Sequence, residues 1–188
     1  MTGPRSHLPT SHIGRVRYWP YMKTHVRSAA VVLLAGALFG WGQQSSTTGS
    51  KPAATKVVFV CEHGAAKSII AAAELERMAK ERGLSVVAIS RGTTPDAEIG
   101  AAIRQGLHAD GIDLGPSKPV KVSAKDMAIA SKVVSFGPDL SEWLPKDAKA
   151  LDWSATPSPS ENYHAARLYI VKQLESLIAD LEKASKTK

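Results

Sequence analysis

The segment Val57-Val58-Phe59-Val60-Cys61-Glu62-His63-Gly64-Ala65-Ala66-Lys67-Ser68 constrains this chain more than any other. Its first four residues are an unbroken apolar run, the pattern of a strand covered on both faces in a parallel sheet. The pattern then breaks. Glu62 to Lys67 contains one glycine and two alanines, and Ser68 opens a helical stretch that stops at Gly83. The single cysteine of the 188 residues therefore sits between a strand and a helix N-terminus. Such a terminus presents unpaired amides and partial positive charge, which favour a thiolate over a thiol and attract tetrahedral oxyanions. A loop of small residues can turn several amides inward as an anion nest. Two readings of Cys61 follow: a nucleophile beside a phosphate-sized site, or a buried cysteine that packs at a strand end.

The chain does not begin like a domain. No acidic residue lies between Met1 and Gly42, while Arg5, Arg15, Arg17, Lys23 and Arg27 precede an apolar run from Ala29 to Phe39. A charged n-region followed by an h-region too short to span a bilayer reads as a secretory signal over residues 1–42, with cleavage before Gln43. Met22 is an alternative start that leaves a compact leader, and an uncleaved anchor is the competing reading. Residues 43–55, rich in Ser, Thr, Gly and Ala, read as a flexible linker.

Removing the leader changes the charge argument. Of the 24 basic residues five precede Gln43, so 19 remain against 17 acidic ones, and the net charge drops from +7 to +2. The basicity belongs mostly to the targeting segment, and no basic stripe with interleaved aromatics follows, which argues against nucleic acid as a partner. Contact with a membrane is expected only through the signal segment.

From residue 56 to 185 strand-like and helix-like segments alternate. Leu84–Ile89 reads as a second strand. A helix beginning at Thr94-Pro95 carries Ile99, Ile103 and Leu107 on one face before Gly111. Residues 124–130 read as a short helix capped by Ser123 with Asp126 three residues on. Lys132–Phe136 is a third strand and Ala150–Trp153 a fourth. Ser158, Pro159 and Glu161 supply an N-cap, a first helical proline and a capping-box glutamate for a last helix striped by Ala166, Ile170, Leu174, Ile178 and Leu181. The alternation predicts an α/β fold, a three-layer sandwich around a central four-stranded parallel sheet.

The loop itself resembles a known one. Cys61, five intervening residues, a cation at Lys67 and then Ser68 look like the phosphate-binding loop of the low-molecular-weight protein tyrosine phosphatase and arsenate reductase superfamily. The run Gly111-Ile112-Asp113-Leu114 with Ser117 and Lys118 is similar to that family's segment before its third strand. The resemblance implies the phosphotyrosine protein phosphatase I-like fold over residues 56–185. This chain departs from the family at three points: Lys67 replaces an arginine, Gly64 an asparagine, and Ser158-Pro159 an Asp-Pro pair whose aspartate is the general acid.

The family mechanism, carried over, makes Cys61 the nucleophile toward phosphorus. Amides of Glu62, His63, Gly64, Ala65 and Ala66, with Lys67, hold the oxygens, and Ser68 donates to the thiolate as it leaves. Lys67 is a point charge where arginine would grip bidentately, so one transition-state contact worth ~2 to 4 kcal/mol is weakened. Ser158 keeps a cap but cannot supply a proton, which leaves Asp152, Glu161 and Asp139 as candidate general acids. His63 either contacts the anion and thiolate or faces solvent.

The expected partner is phosphate, an arsenate-like oxyanion or a phosphorylated substrate, with no metal and no cofactor. A weak exported phosphatase-like hydrolase leads, an arsenate reductase-like oxidoreductase is second, and a non-catalytic oxyanion-binding domain third. One cysteine cannot run an internal disulfide relay, and an exported domain lacks the cytosolic thiol pool.

The order of charged, apolar and small-residue regions predicts that residues 1–42 are absent from the mature protein. Intact-mass measurement on protein exported by a native-like host should show a chain beginning near Gln43. Full-length chain in the membrane fraction would establish the anchor instead.

Overall fold

A computed structural model describes residues 54–186 of this protein. The segment 1–42 expected as a signal, and residues 43–53 of the expected linker, lie outside the described residues. The first strand, β1, runs Thr55–Cys61 and so begins at the end of the stretch expected as linker. After it come α1 (Lys67–Glu81), β2 (Val86–Gly92), α2 (Ala101–Ala109), α3 (Ala124–Ile129), β3 (Lys132–Ser135), β4 (Leu151–Asp152) and α4 (Tyr163–Lys186).

Every strand pairing is parallel and the order across the sheet is β2-β1-β3-β4. The central strand explains its own sequence. Val57, Val58, Phe59 and Val60 are all fully buried, because β1 has a strand on each edge and packed side chains on each face. Val57 and Phe59 join Ile70, Leu75, Ile103, Leu107, Ile170 and Leu174 in a core shared with α1, α2 and α4. Val58 and Val60 pack the other way, with Val122, Met127 of α3, Val133 and Leu140. Phe59, Phe136 and Trp153 form an aromatic cluster with centroids 5.8 to 6.4 Å apart. The expected four-stranded α/β architecture is therefore the observed one.

This topology fixes where a ligand can bind. The chain leaves β1 for β2 on one side and returns to β3 on the other, so the C-terminal end of β1 is a topological switch point, where open α/β sheets place their crevice. Cys61 is the last residue of β1.

The three largest departures from the expected element bounds are at β2, α2 and α4. β2 extends to Gly92, because Ser90, Arg91 and Gly92 pair with Phe59, Val60 and Cys61 although their own sequence is not apolar. The second helix starts at Ala101 rather than Thr94-Pro95; Thr93, Thr94 and Asp96 instead donate their amides to the carbonyls of Cys61, Glu62 and His63, at 3.1, 2.8 and 3.0 Å. The last helix starts at Tyr163, where Asn162 caps it by accepting from Ala165 N at 2.9 Å. Ser158 heads a turn before it, its carbonyl accepting from the amides of Glu161 and Asn162. The apolar stripe of that helix is as expected, with all five residues buried. The capping box of α3 is also as expected: Ser123 Oγ accepts from Asp126 N and Asp126 Oδ2 from Ser123 N.

One feature of the core is ionic. Glu74 of α1 is fully buried and accepts from Arg77 Nη2 at 2.8 Å and from Arg167 Nε of α4 at 2.6 Å. Arg167 Nε also lies 3.0 Å from Asp110 Oδ2, which accepts the Tyr163 hydroxyl at 2.7 Å. Burial and that bond to Asp110 push the Tyr163 hydroxyl well above its usual range, so it stays a donor. The network clamps α4 to α1 beside the α2 C-terminus. Removing one member of a buried, hydrogen-bonded ion group leaves uncompensated charge and costs about 3 to 5 kcal/mol. Glu74→Ala should lower the urea-unfolding free energy by that order, whereas Glu81→Ala, at an exposed partner of Arg77, should cost less than about 1 kcal/mol.

Candidate active site

The Cys61–Ser68 loop is held from outside and open within. The carbonyls of Cys61, Glu62 and His63 are all bonded to residues 93–96. No side chain caps α1: its N-cap position is Ala66 and its first turn carries no acidic residue. The leading amides of α1 are thus left without a side-chain acceptor at the place where an anion would be stabilised.

Gly64 closes the loop. Its φ of +62° is a left-handed conformation, which glycine adopts without penalty and asparagine tolerates, so glycine in place of the family's asparagine preserves the turn. The turn also lies against the end of β2. A Cβ on Gly64 would meet Gly92 N at 2.8 Å, and one on Gly92 would meet Gly64 N at 2.7 Å and the His63 carbonyl carbon at 2.8 Å. Both positions must lack a side chain because backbone presses on backbone.

Inside this turn the Cys61 thiol, 7 % exposed, is the focus of three polar groups. Gly64 N donates to Sγ at 3.2 Å, and Ser68 Oγ, fully buried, lies 3.1 Å from it. Ser90 Oγ of β2 donates to Ser68 Oγ at 2.8 Å. With its oxygen accepting from Ser90, Ser68 has its own proton to give to sulfur. Ser90 was not legible from sequence, since it sits in the polar end of β2 that only pairing with β1 reveals.

Cys61 opens into a cavity of about 400 Å³ lined by Glu62, His63, Ala65, Ala66 and Lys67 of the loop, by Asp96, Gly100 and Ile103, and by Phe136 and Ser158–Ser160. Lys67 is half-buried and makes no ion pair among the described residues. A cation opposes the dipole at a helix N-terminus, so an unpaired lysine there has its electrostatic partner in whatever anion enters the cavity. Ser158 lies in the cavity wall, where the resemblance put the family's proton donor.

The alternative acids fall elsewhere. Asp139 and Asp152 line a different cavity beside Ser135 and Leu140 and are not brought to Cys61. Asp139 is held below the usual carboxylate range by the backbone amide and hydroxyl of Ser141, and Asp152 likewise by Ser154. Both are therefore stabilised as anions rather than poised to give a proton. Glu161 is exposed and does not line the Cys61 cavity. Besides Glu62 of the loop, the carboxylate that does is Asp96, whose Oδ1 lies 3.4 Å from His63 Nδ1. Sequence reading missed it because Thr94-Pro95-Asp96 resembles a helix start.

The family model for "PTS system, Lactose/Cellobiose specific IIB subunit" matches residues 56–151, just over half of the chain. The chain belongs to this family. The match to the IIB family carries β1, the Cys61 loop and β3, and stops at the start of β4. No curated protein matches the chain by sequence. Solved structures related to this IIB-family chain are low-molecular-weight protein tyrosine phosphatases and arsenate reductases, which have the same α/β fold. A protein tyrosine phosphatase from Entamoeba histolytica, with Hepes in the active site, is 18% identical with a TM-score of 0.59, covering 70% of this chain and 99% of that one. The Corynebacterium glutamicum thioredoxin-dependent arsenate reductase is 22% identical with a TM-score of 0.60, covering 72% of this chain and 66% of that one. An arsenate reductase in the phosphate binding state is 22% identical with a TM-score of 0.55, covering 68% and 98%.

The Gly64–Gly92 contact gives a direct test of the loop. Gly92→Ala should cost about 1 to 3 kcal/mol, the range for forcing a methyl into packed surroundings, and should open the turn around Cys61. Thermal melts should show the loss of stability. Iodoacetamide labelling should show faster alkylation of Cys61 and weaker protection by added phosphate than in the parent.

Proposed function

We propose that this protein is an exported, weak phosphomonoester hydrolase in which Cys61 is the nucleophile and a phosphocysteine the intermediate. The observation that carries this reading is the position of Cys61 Sγ, 3.2 Å from Gly64 N and 3.1 Å from Ser68 Oγ, at the mouth of an uncapped helix N-terminus beside Lys67. A phosphate monoester enters with its oxygens toward the loop amides and Lys67. The Cys61 thiolate attacks phosphorus, the bond to the leaving oxygen breaks, and water then displaces sulfur to release inorganic phosphate. Ser68 stabilises the departing thiolate.

The fold lends support through its neighbours, among them an arsenate reductase in a phosphate binding state. The IIB family's lactose and cellobiose specificity is not carried over, because the match ends before Ser158–Ser160, which wall the cavity. An arsenate reductase reading is second, since one cysteine supplies no internal relay. Weak turnover follows from Lys67, a point charge against a charge-spreading phosphoryl group, and from Ser158, which cannot protonate a leaving group. Export rests on the composition of residues 1–42.

Activity on p-nitrophenyl phosphate tests this. The parent should hydrolyse it and Cys61→Ser should not. Lys67→Arg should raise kcat/KM for p-nitrophenyl phosphate, and Ser158→Asp that for phenyl phosphate, each by on the order of tenfold to a hundredfold, with phosphate affinity changing far less. A parent equal to Cys61→Ser that still binds phosphate would replace the hydrolase with an oxyanion-binding domain.

A further inference from the structure

The cavity holds no carboxylic acid at Ser158, yet cleaving a phosphate ester of a basic alcohol or phenol requires a proton for the leaving oxygen. We propose that His63 supplies that proton and that Asp96 positions it, a dyad that rests on the phosphocysteine reading. Both residues line the Cys61 cavity. Their spacing is set by backbone: Asp96 N donates to the His63 carbonyl at 3.0 Å, in the same ladder that ties Thr93 and Thr94 to Cys61 and Glu62. Asp96 Oδ1 stands 3.4 Å from His63 Nδ1 and Glu62 Oε2 3.8 Å from Nε2, ion-pair distances longer than a normal hydrogen bond.

The chemistry follows from this arrangement. With Asp96 Oδ1 on the Nδ1 side, Nε2 is the ring nitrogen left to carry the transferable proton. As Cys61 sulfur bonds to phosphorus and the P–O bond breaks, the leaving oxygen takes the Nε2 proton and departs as alcohol, leaving neutral imidazole. A water molecule then gives its proton to that nitrogen while its oxygen attacks the phosphocysteine. The S–P bond breaks, inorganic phosphate leaves, and thiolate and imidazolium are restored. His63 is the catalytic acid and base, and Asp96 is a positioning residue.

Leaving-group dependence separates this role from a structural one. Phenol is as basic as the tyrosine side chain, about 10, and needs the proton, whereas p-nitrophenol departs as an anion. His63→Asn should lower kcat/KM for phenyl phosphate on the order of a hundredfold and for p-nitrophenyl phosphate far less. Asp96→Asn should show the same selectivity in smaller measure, and the double variant should be no worse than His63→Asn, because Asp96 acts only through the ring.

Phosphate protection of Cys61 from iodoacetamide, measured in each variant, shows that the loop is intact, and His63→Gln replaces any variant that loses it. Equal slowing of both substrates, or no slowing of either, overturns the dyad while leaving the Cys61 hydrolase in place. A parent no faster than Cys61→Ser overturns the hydrolase and the dyad with it.

Discussion

The contact between Gly64 and Gly92 is the constraint on which the candidate site depends. Backbone meets backbone there at a distance no side chain could enter, and the contact ties the turn after β1 to the end of β2. Because β2 must reach Gly92 to make it, the strand continues through Ser90 and delivers its hydroxyl to Ser68, which in turn faces Cys61. The amides beyond Gly92 then bind the loop carbonyls. Loop shape, nucleophile environment and the placement of Asp96 thus descend from one close approach.

A second constraint holds the scaffold rigid behind the loop. α1 supplies both the helix N-terminus at the site and, two turns on, Glu74 in the buried ionic network with Arg167 and Asp110. A helix whose leading amides are left open for a ligand cannot be fixed by its own cap. It is fixed instead by Ile70 and Leu75 in the core and by the carboxylate that binds α4. Such a buried ion group is a poor source of net stability compared with apolar packing, but it is intolerant of displacement, which suits an element whose end must stay in place.

The site is asymmetric in what it can do. Oxyanion binding needs amides and a cation, and the cavity beside Cys61 offers the start of α1 and Lys67 together with two carboxylates, Glu62 and Asp96. Phosphoryl transfer further needs a proton for the leaving group, and the turn before α4 puts Ser158 in the cavity wall. Asp139 and Asp152 are held as anions by their own serine neighbours and lie beside another cavity. On the proposed reading, turnover depends on which side chain of the rim gives a proton.

Local sequence determined the strand Val57–Val60, the place of Cys61 before a helix start, the α3 capping box and the apolar stripe of the last helix. In each case the physical cause lies within a few residues: burial on both faces, small residues in a turn, a serine three residues from an aspartate, a 3.6-residue period. The number and parallel order of strands were legible from alternation for the same reason. The tertiary structure alone decided the boundaries of β2, α2 and α4. There, hydrogen-bond partners distant in sequence outcompeted strong local signals: Cys61, Glu62 and His63 claimed the amides of 93–96 that Thr94-Pro95 would have put into a helix. It also decided which acid meets the site, because Asp96 reaches His63 only through that ladder, and no spacing along the chain records that its partners lie 32 to 33 residues away.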